Sequence, residues 1–132
     1  MSTPENPPPR LFGDVTDTDR IRWQLRAVTA LQKVLTDAAR DGLPVISWTL
    51  TLSGGLAGQV IPQGTTAQRR AAFELWCAHL HITPWPERTK TDSWVHLHAV
   101  GSLAPLLDLR VAVALAADLA PDDPYDPTTE EC

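Results

Sequence analysis

Apolar residues at helical spacing predict two helices in this chain. The first begins after Thr16–Thr18, whose hydroxyl side chains can cap it, and ends at Gly42. Three- and four-residue steps place one apolar stripe on a single face: Ile21, Leu25, Val28, Leu31, Leu35 and Ala38. A second stripe runs beside the first: Trp23, Ala27, Ala30 and Val34. The second helix is predicted from Thr65 or Thr66 to about Leu80, with a core stripe of Phe73, Trp76, Cys77 and Leu80.

Alternating apolar and polar residues predict four strands in two hairpins. The first hairpin has a strand from Val45 to Leu52, a turn at Ser53–Gly55 and a short return strand from Leu56 to Ile61. Its glycine run lacks the pattern and the lysine of a phosphate-binding loop, so we interpret it as a turn. The second hairpin has a strand from Trp94 to Val100 and a turn at Gly101–Pro105. Its last segment, Leu107 to about Ala116, could form a helix, but its alternation favours a strand.

The element order is therefore α-β-β-α-β-β. Hairpins predict antiparallel pairing, and wide apolar helices predict that both pack on one face of the sheet. The expected fold is α+β, with two helices on one face of a roughly four-stranded, mainly antiparallel sheet. We assign residues 17–118 to this single domain. We expect a flexible Pro-rich N-terminus over 1–16 and an acidic, Pro-rich disordered tail over 119–132.

The charge of the chain is unevenly distributed. The 132 residues carry a formal net charge of −5, but six of the 16 acids lie from Asp118 onward, where there is no base. The remaining 11 bases and 10 acids leave the rest of the chain at +1. Paired arginines on the helices could contact phosphate: Arg22, Arg26, Arg69 and Arg70. Because the domain is almost neutral, a weak DNA-binding regulator is only an alternative interpretation.

Composition also indicates a cellular setting. No apolar run approaches the roughly 20 residues of a membrane-spanning helix, and the N-terminus has no apolar segment typical of a secretory signal. Two cysteines do not form a disulfide framework, and the helical position of Cys77 predicts a buried thiol. We expect a cytoplasmic protein that does not bind membranes.

The four histidines form two His-x-His pairs, His79 with His81 and His96 with His98. Alternate positions on a strand point to one face about 7 Å apart, from where two imidazoles can reach one metal ion. A third ligand for His96 and His98 could come from His79, His81 or Asp108. Zinc held in this way would activate water, so a metal-dependent hydrolase is a second alternative. We predict no catalytic residues otherwise, and favour a structural role for these histidines.

The face of the sheet away from the helices predicts the function that we favour. It carries small or polar residues with few charges: Ser47, Thr49, Thr51, Trp94, His96, His98, Ala112, Ala114 and Ala116. A flat, weakly charged surface with an aromatic anchor suits protein association. We therefore expect a non-enzymatic interaction or accessory module that forms a homodimer, or binds another protein, through this face. It needs no cofactor.

Several apolar and turn motifs resemble small proteins of unassigned function from high-GC bacteria and their mobile elements. The motifs are Pro44–Trp48, Leu56-x-Gly58, Phe73-x-x-Trp76 and Val95–Ala99, within residues 17–118. The resemblance implies a bacterial, mobile-element or regulatory accessory setting and carries over no catalytic residue.

Overall fold

A computed structural model describes residues 14–90, 92–106 and 109–121. It contains two helices and five strands over these residues: α1 Asp17–Asp41, β1 Ser47–Leu50, β2 Leu56–Gln59, α2 Thr66–Leu80, β3 Arg88–Thr89, β4 Val95–Leu106 and β5 Leu109–Leu119. The α+β class is confirmed. Most of the two predicted terminal segments, together with Asp108, lies outside the described residues.

Both helices begin with a reciprocal capping box. The Thr16 hydroxyl accepts the Asp19 amide and the Asp19 carboxylate accepts the Thr16 amide, each at 3.1 Å. Thr65 and Gln68 make the equivalent pair at the start of α2. Each pair satisfies a backbone donor that the first helical turn leaves unpaired. α1 ends at Gly42 in the left-handed conformation, as its sequence predicts.

The sheet has the strand order β1-β2-β5-β4-β3. β1 with β2, β5 with β4, and β4 with β3 are antiparallel, whereas β2 and β5 are parallel. The predicted four-stranded, mainly antiparallel sheet therefore differs from the observed sheet in two respects. The polar loop after α2 contributes the short edge strand β3, and β5, the last of the described strands along the chain, lies at the centre of the sheet.

β4 runs through the residues that were expected to form a turn. Gly101 and Ser102 pair with Val113 and Ala112, so the strand continues to Leu106. A side chain at Gly101 would overlap Ile82, which packs against it. Glycine at this position therefore allows the α2–β3 connection to pack closely against the sheet, and it does not form a turn.

Both helices cover one face of the sheet, as predicted. The buried residues of β5 alternate along it: Val111, Val113, Leu115, Ala117 and Leu119. Leu97 and Ala99 of β4 lie on the same face. α2 buries the four residues of its predicted stripe against them, including Trp76, whose indole N–H donates to the Pro44 carbonyl at 2.8 Å. Burial of Cys77 is confirmed, and it raises the pKa of this thiol to about 11.

α1 buries one of its two predicted stripes against the sheet. Its buried residues are Ala27, Ala30, Val34 and Ala38, so most of the second stripe, together with Ala38 of the first, packs on the sheet. Four residues of the first stripe are exposed instead: Ile21, Leu25, Val28 and Leu35. Alanines at 27, 30 and 38 explain the choice, because small side chains let the helix lie close to the sheet.

Candidate functional site

The register of the strands gathers most of the predicted interaction face on the side of the sheet opposite the helices. One row of aligned residues runs across four strands: Thr49, Ala57, Ala114 and Val100. The next row is Ser47, Gln59, Ala116 and His98. We call this surface the open face and define it by these eight residues together with His96, Ser102, Ala112 and Asp118.

The centre of the open face is uncharged and carries small side chains. Ala112, Ala114 and Ala116 occupy alternate positions of the central strand β5, and Ala112 is exposed. Val100, opposite Ala114 on β4, is 39% exposed. The two rows contain only hydroxyl, amide, imidazole and apolar side chains. Strand alternation produces this surface, because the residues before and after each of these positions in the same strand point into the core.

One end of the open face carries a hydrogen-bonded charged cluster. Asp118 lies opposite His96 in the register, and its carboxylate is 2.9 Å from His96 Nδ1 and 3.2 Å from Lys90 Nζ. We call these three residues the polar corner. The hydrogen bond with His96, followed by those of Lys90, lowers the pKa of Asp118 below its ordinary value. Bonding through Nδ1 leaves Nε2 of His96 free of this contact.

His98 lies beside the polar corner and under an aromatic residue. Its ring is 5.7 Å from that of His96 and 5.0 Å from that of Trp85, which meets it edge-on. The Trp85 amide also donates to the His98 carbonyl at 2.8 Å. Burial, and then the nearby His96 and Arg88, lower the pKa of His98. Its Nδ1 is buried and has no hydrogen-bond partner among the described residues.

Two predicted members of the face have other positions. Thr51 lies just beyond β1, where its hydroxyl accepts the Gly55 amide at 2.8 Å and so stabilises the β1–β2 turn. Trp94 precedes β4 and is half-buried, and its carbonyl accepts the Lys90 amide at 2.7 Å. Both residues belong to connections that fix the strands.

The two histidine pairs are on opposite sides of the sheet. His79 is on α2, 3.8 Å from an Asp41 carboxylate oxygen, and His81 is the left-handed C-cap of that helix. His96 and His98 share the open face. In the described part of the chain, no three His, Cys, Asp or Glu side chains are grouped as a metal site would require. A zinc site at His96 and His98 stays a prediction that needs a further ligand.

The candidate phosphate-binding arginines contact groups of the protein itself. Arg22 lies 3.6 Å from Asp19, and Arg70 forms a salt bridge with Glu87. Arg69 donates to the Asp118 carbonyl at 3.4 Å. Arg26 is half-buried on α1 near the β1–β2 turn. Phosphate binding by these residues stays a prediction.

Sequence reasoning missed Trp85, Lys90 and Asp118 as neighbours of the histidines. Asp118 was grouped with the acidic tail, although it lies within β5. Only the pairing of β4 with β5 brings it to His96, and no local pattern reports that pairing. Val100 could have been found, because it continues the alternation of His96 and His98.

No protein-family model matches the chain, and no curated protein or solved structure is significantly similar to it. Neither helix in the described part of the chain has the length and apolar character needed to cross a membrane.

Proposed function

We propose that this chain is a non-enzymatic, cytosolic interaction module that self-associates through its open face. The observation that carries the proposal is the uncharged central surface around Ala114, which lies between Ala57 and Val100 on the neighbouring strands. A contiguous surface of this kind favours contact with a similar surface over solvent. A second copy fits it because the charged groups lie toward the ends, at Arg110 and in the polar corner.

The size of the open face limits the area that a dimer can bury. β4 and β5 have 12 and 11 residues, and β1 and β2 have four each. With about 3.3 Å per residue and 4.8 Å between strands, their plane measures roughly 500 Å² per copy. Two such faces bury about 1,000 Å², which is near the lower limit for a specific interface. Interfaces of this size are typical of weak, reversible contacts, and we expect a dimer that dissociates in the micromolar range.

Sedimentation analysis of the full chain from about 1 to 200 µM tests the proposal, because that range spans the expected dissociation constant. Ala114→Asp places two buried charges in the face-to-face dimer, and we expect it to weaken this association at least about 100-fold. Ala112→Asp is a second variant at an exposed position of the same stripe. Ala71→Asp, on the exposed side of α2, is the matched control and leaves the association unchanged.

The proposal is wrong if folded Ala114→Asp and Ala112→Asp associate as strongly as the wild type. It is also wrong if the wild type sediments as one 14.4 kDa chain throughout this range. Far-ultraviolet circular dichroism establishes which variants are folded.

A further inference from the structure

The exposed stripe of α1 is a second apolar face on the same helix. Ile21, Leu25, Val28 and Leu35 are between 45% and 63% exposed. At 3.6 residues per turn, their stripe is centred roughly 130° around the helix from the buried alanines. We call these four residues the α1 ridge. A surface helix normally has one apolar stripe, so a second one indicates a contact that a single copy leaves unmade.

Among the described residues, β1 presents an unpaired edge. It is the last described strand of the sheet on that side, and its one described partner strand is β2. The Thr51 amide donates to the Gly55 carbonyl, so antiparallel alternation directs Thr49 toward β2 and directs the amides of Trp48 and Leu50 outward. The strand reads Ser-Trp-Thr-Leu and contains no charge or proline, the residues that usually protect an edge from pairing.

The α1 ridge and the β1 edge lie side by side. At one end, Gln24 donates to the Thr51 carbonyl at 3.1 Å, which places Leu25 near the end of β1. At the other end, Leu35 shares an apolar depression with Val45 and Ile46, just before β1 begins. Val45 and Leu52, the residues that flank the strand, are 79% and 72% exposed. The ridge and the edge therefore form one continuous surface.

We infer that a second copy of this chain docks on this surface and extends the sheet through antiparallel β1–β1 pairing. A twofold axis perpendicular to the sheet relates two antiparallel edge strands and also makes the two α1 helices antiparallel neighbours. The ridge is suited to this axis. Ile21 and Leu35 lie seven residues on either side of Val28, so each Ile21 faces Leu35 of the other copy, and the two Val28 side chains meet at the axis.

Charge favours the same arrangement. Antiparallel helices place the positive N-terminal end of one beside the negative C-terminal end of the other. A partner with a different sequence would not share the symmetric spacing of Ile21, Val28 and Leu35.

This contact is independent of the proposed open-face association. The open-face contact turns one sheet over onto another, whereas the β1 contact continues a sheet in its own plane. The twofold axes of the two contacts are perpendicular, and such a pair generates a closed tetramer when the axes intersect. Wild-type protein at high concentration is then expected at the mass of four 14.4 kDa chains.

Val28→Asp tests the inference because it places two carboxylates together at the axis. Sedimentation of the full chain is expected to show at least about 100-fold weaker association through this contact. Leu25→Asp, at a 63% exposed ridge position, is a second variant. Thr29→Asp, on the neighbouring polar arc of α1, is the matched control and retains the wild-type mass.

Combination with Ala114→Asp separates the two proposals. If both hold, each single variant forms a dimer and the double variant forms a monomer. If only the β1 contact exists, the wild type and Ala114→Asp are dimers and Val28→Asp is a monomer. If only the open-face contact exists, Val28→Asp keeps the wild-type mass, and the present inference is overturned. A monomeric wild type also overturns it.

Hydrogen exchange examines the strand pairing itself. In the assembled wild type, the outward amides of Trp48 and Leu50 are expected to exchange at least about tenfold more slowly than in folded Val28→Asp. If these amides exchange equally in both proteins while the wild type remains associated, the sheet is not continuous across the contact. The inference of β1–β1 pairing is then wrong.

Discussion

Gly54 holds the β1–β2 hairpin against α1, and its replacement by alanine has a matched control in the same chain. Its φ of 82° is in the left-handed region. A Cβ at this position would overlap Trp23 Cβ and lie 2.8 Å from the Trp23 carbonyl carbon and oxygen. Gly42 has a similar φ of 71°, but a Cβ there has no atom within 4 Å. The two positions therefore separate backbone strain from steric overlap.

The expected costs follow from that difference. Alanine in the left-handed region costs about 1–2 kcal/mol, and this applies to Gly42→Ala and Gly54→Ala alike. At Gly54 the overlap includes main-chain atoms of a helix, which cannot rotate away, and forced overpacking adds about 1–3 kcal/mol. We expect Gly54→Ala to lower the free energy of unfolding by about 2–5 kcal/mol, against about 1–2 kcal/mol for Gly42→Ala.

Urea denaturation followed by tryptophan fluorescence measures both losses, provided that the slopes of the two transitions agree. Since one kcal/mol shifts the midpoint of thermal unfolding by about 4 °C in a domain near this size, a thermal scan is an independent check. Equal losses for the two variants would refute the reasoning, because they would show that the hairpin moves away from α1 without cost.

Three further predictions concern single residues. The hydrogen bond with His96 lowers the pKa of Asp118 in the folded protein. The ionised carboxylate therefore stabilises the fold above about pH 3.9, the ordinary aspartate pKa, and this contribution disappears as the pH falls through the lower folded pKa. Asp118→Asn should accordingly lose less stability than the wild type in acid unfolding. In a Cys132→Ser background, Cys77 should react with a thiol reagent at pH 8 only after unfolding, since burial raises its pKa to about 11. Thr16→Ala should cost about 1 kcal/mol in urea denaturation by removing the cap of α1, and a loss below about 0.3 kcal/mol would contradict the importance of that cap.

Periodicity predicted the existence of α1 but not its orientation. Two apolar stripes satisfy helical spacing equally well, and the spacing alone does not say which of them faces the core. The stripe with Ala27 and Ala30, both fully buried, does so because these small side chains allow the helix to approach the sheet closely. Hydrophobicity measures the preference for burial, whereas the available distance between two elements decides which residues can be buried together.

Alternation predicted most of the open face, since the side on which a strand residue lies depends only on its parity. It could not predict the polar corner, because the contact between His96 and Asp118 joins residues 22 positions apart. Nor could it predict that β2 and β5 are parallel neighbours, since the alternation of a strand carries no information about its partner. Local sequence patterns therefore predicted most of the open face, whereas the polar corner follows only from the pairing of β4 with β5.

The central position of β5 has a consequence for how the chain acquires its structure during synthesis. β5 is translated after the other described strands, yet β2 and β4 are joined through it in the described sheet. Until Leu119 has emerged, both neighbours present unpaired edges, and the β2–β5 contact must close a loop of about fifty residues. Such non-local pairing slows folding and exposes intermediates to aggregation. A chain shortened before β5 would lose the middle of its sheet, so truncation at this end removes the whole fold rather than trimming it.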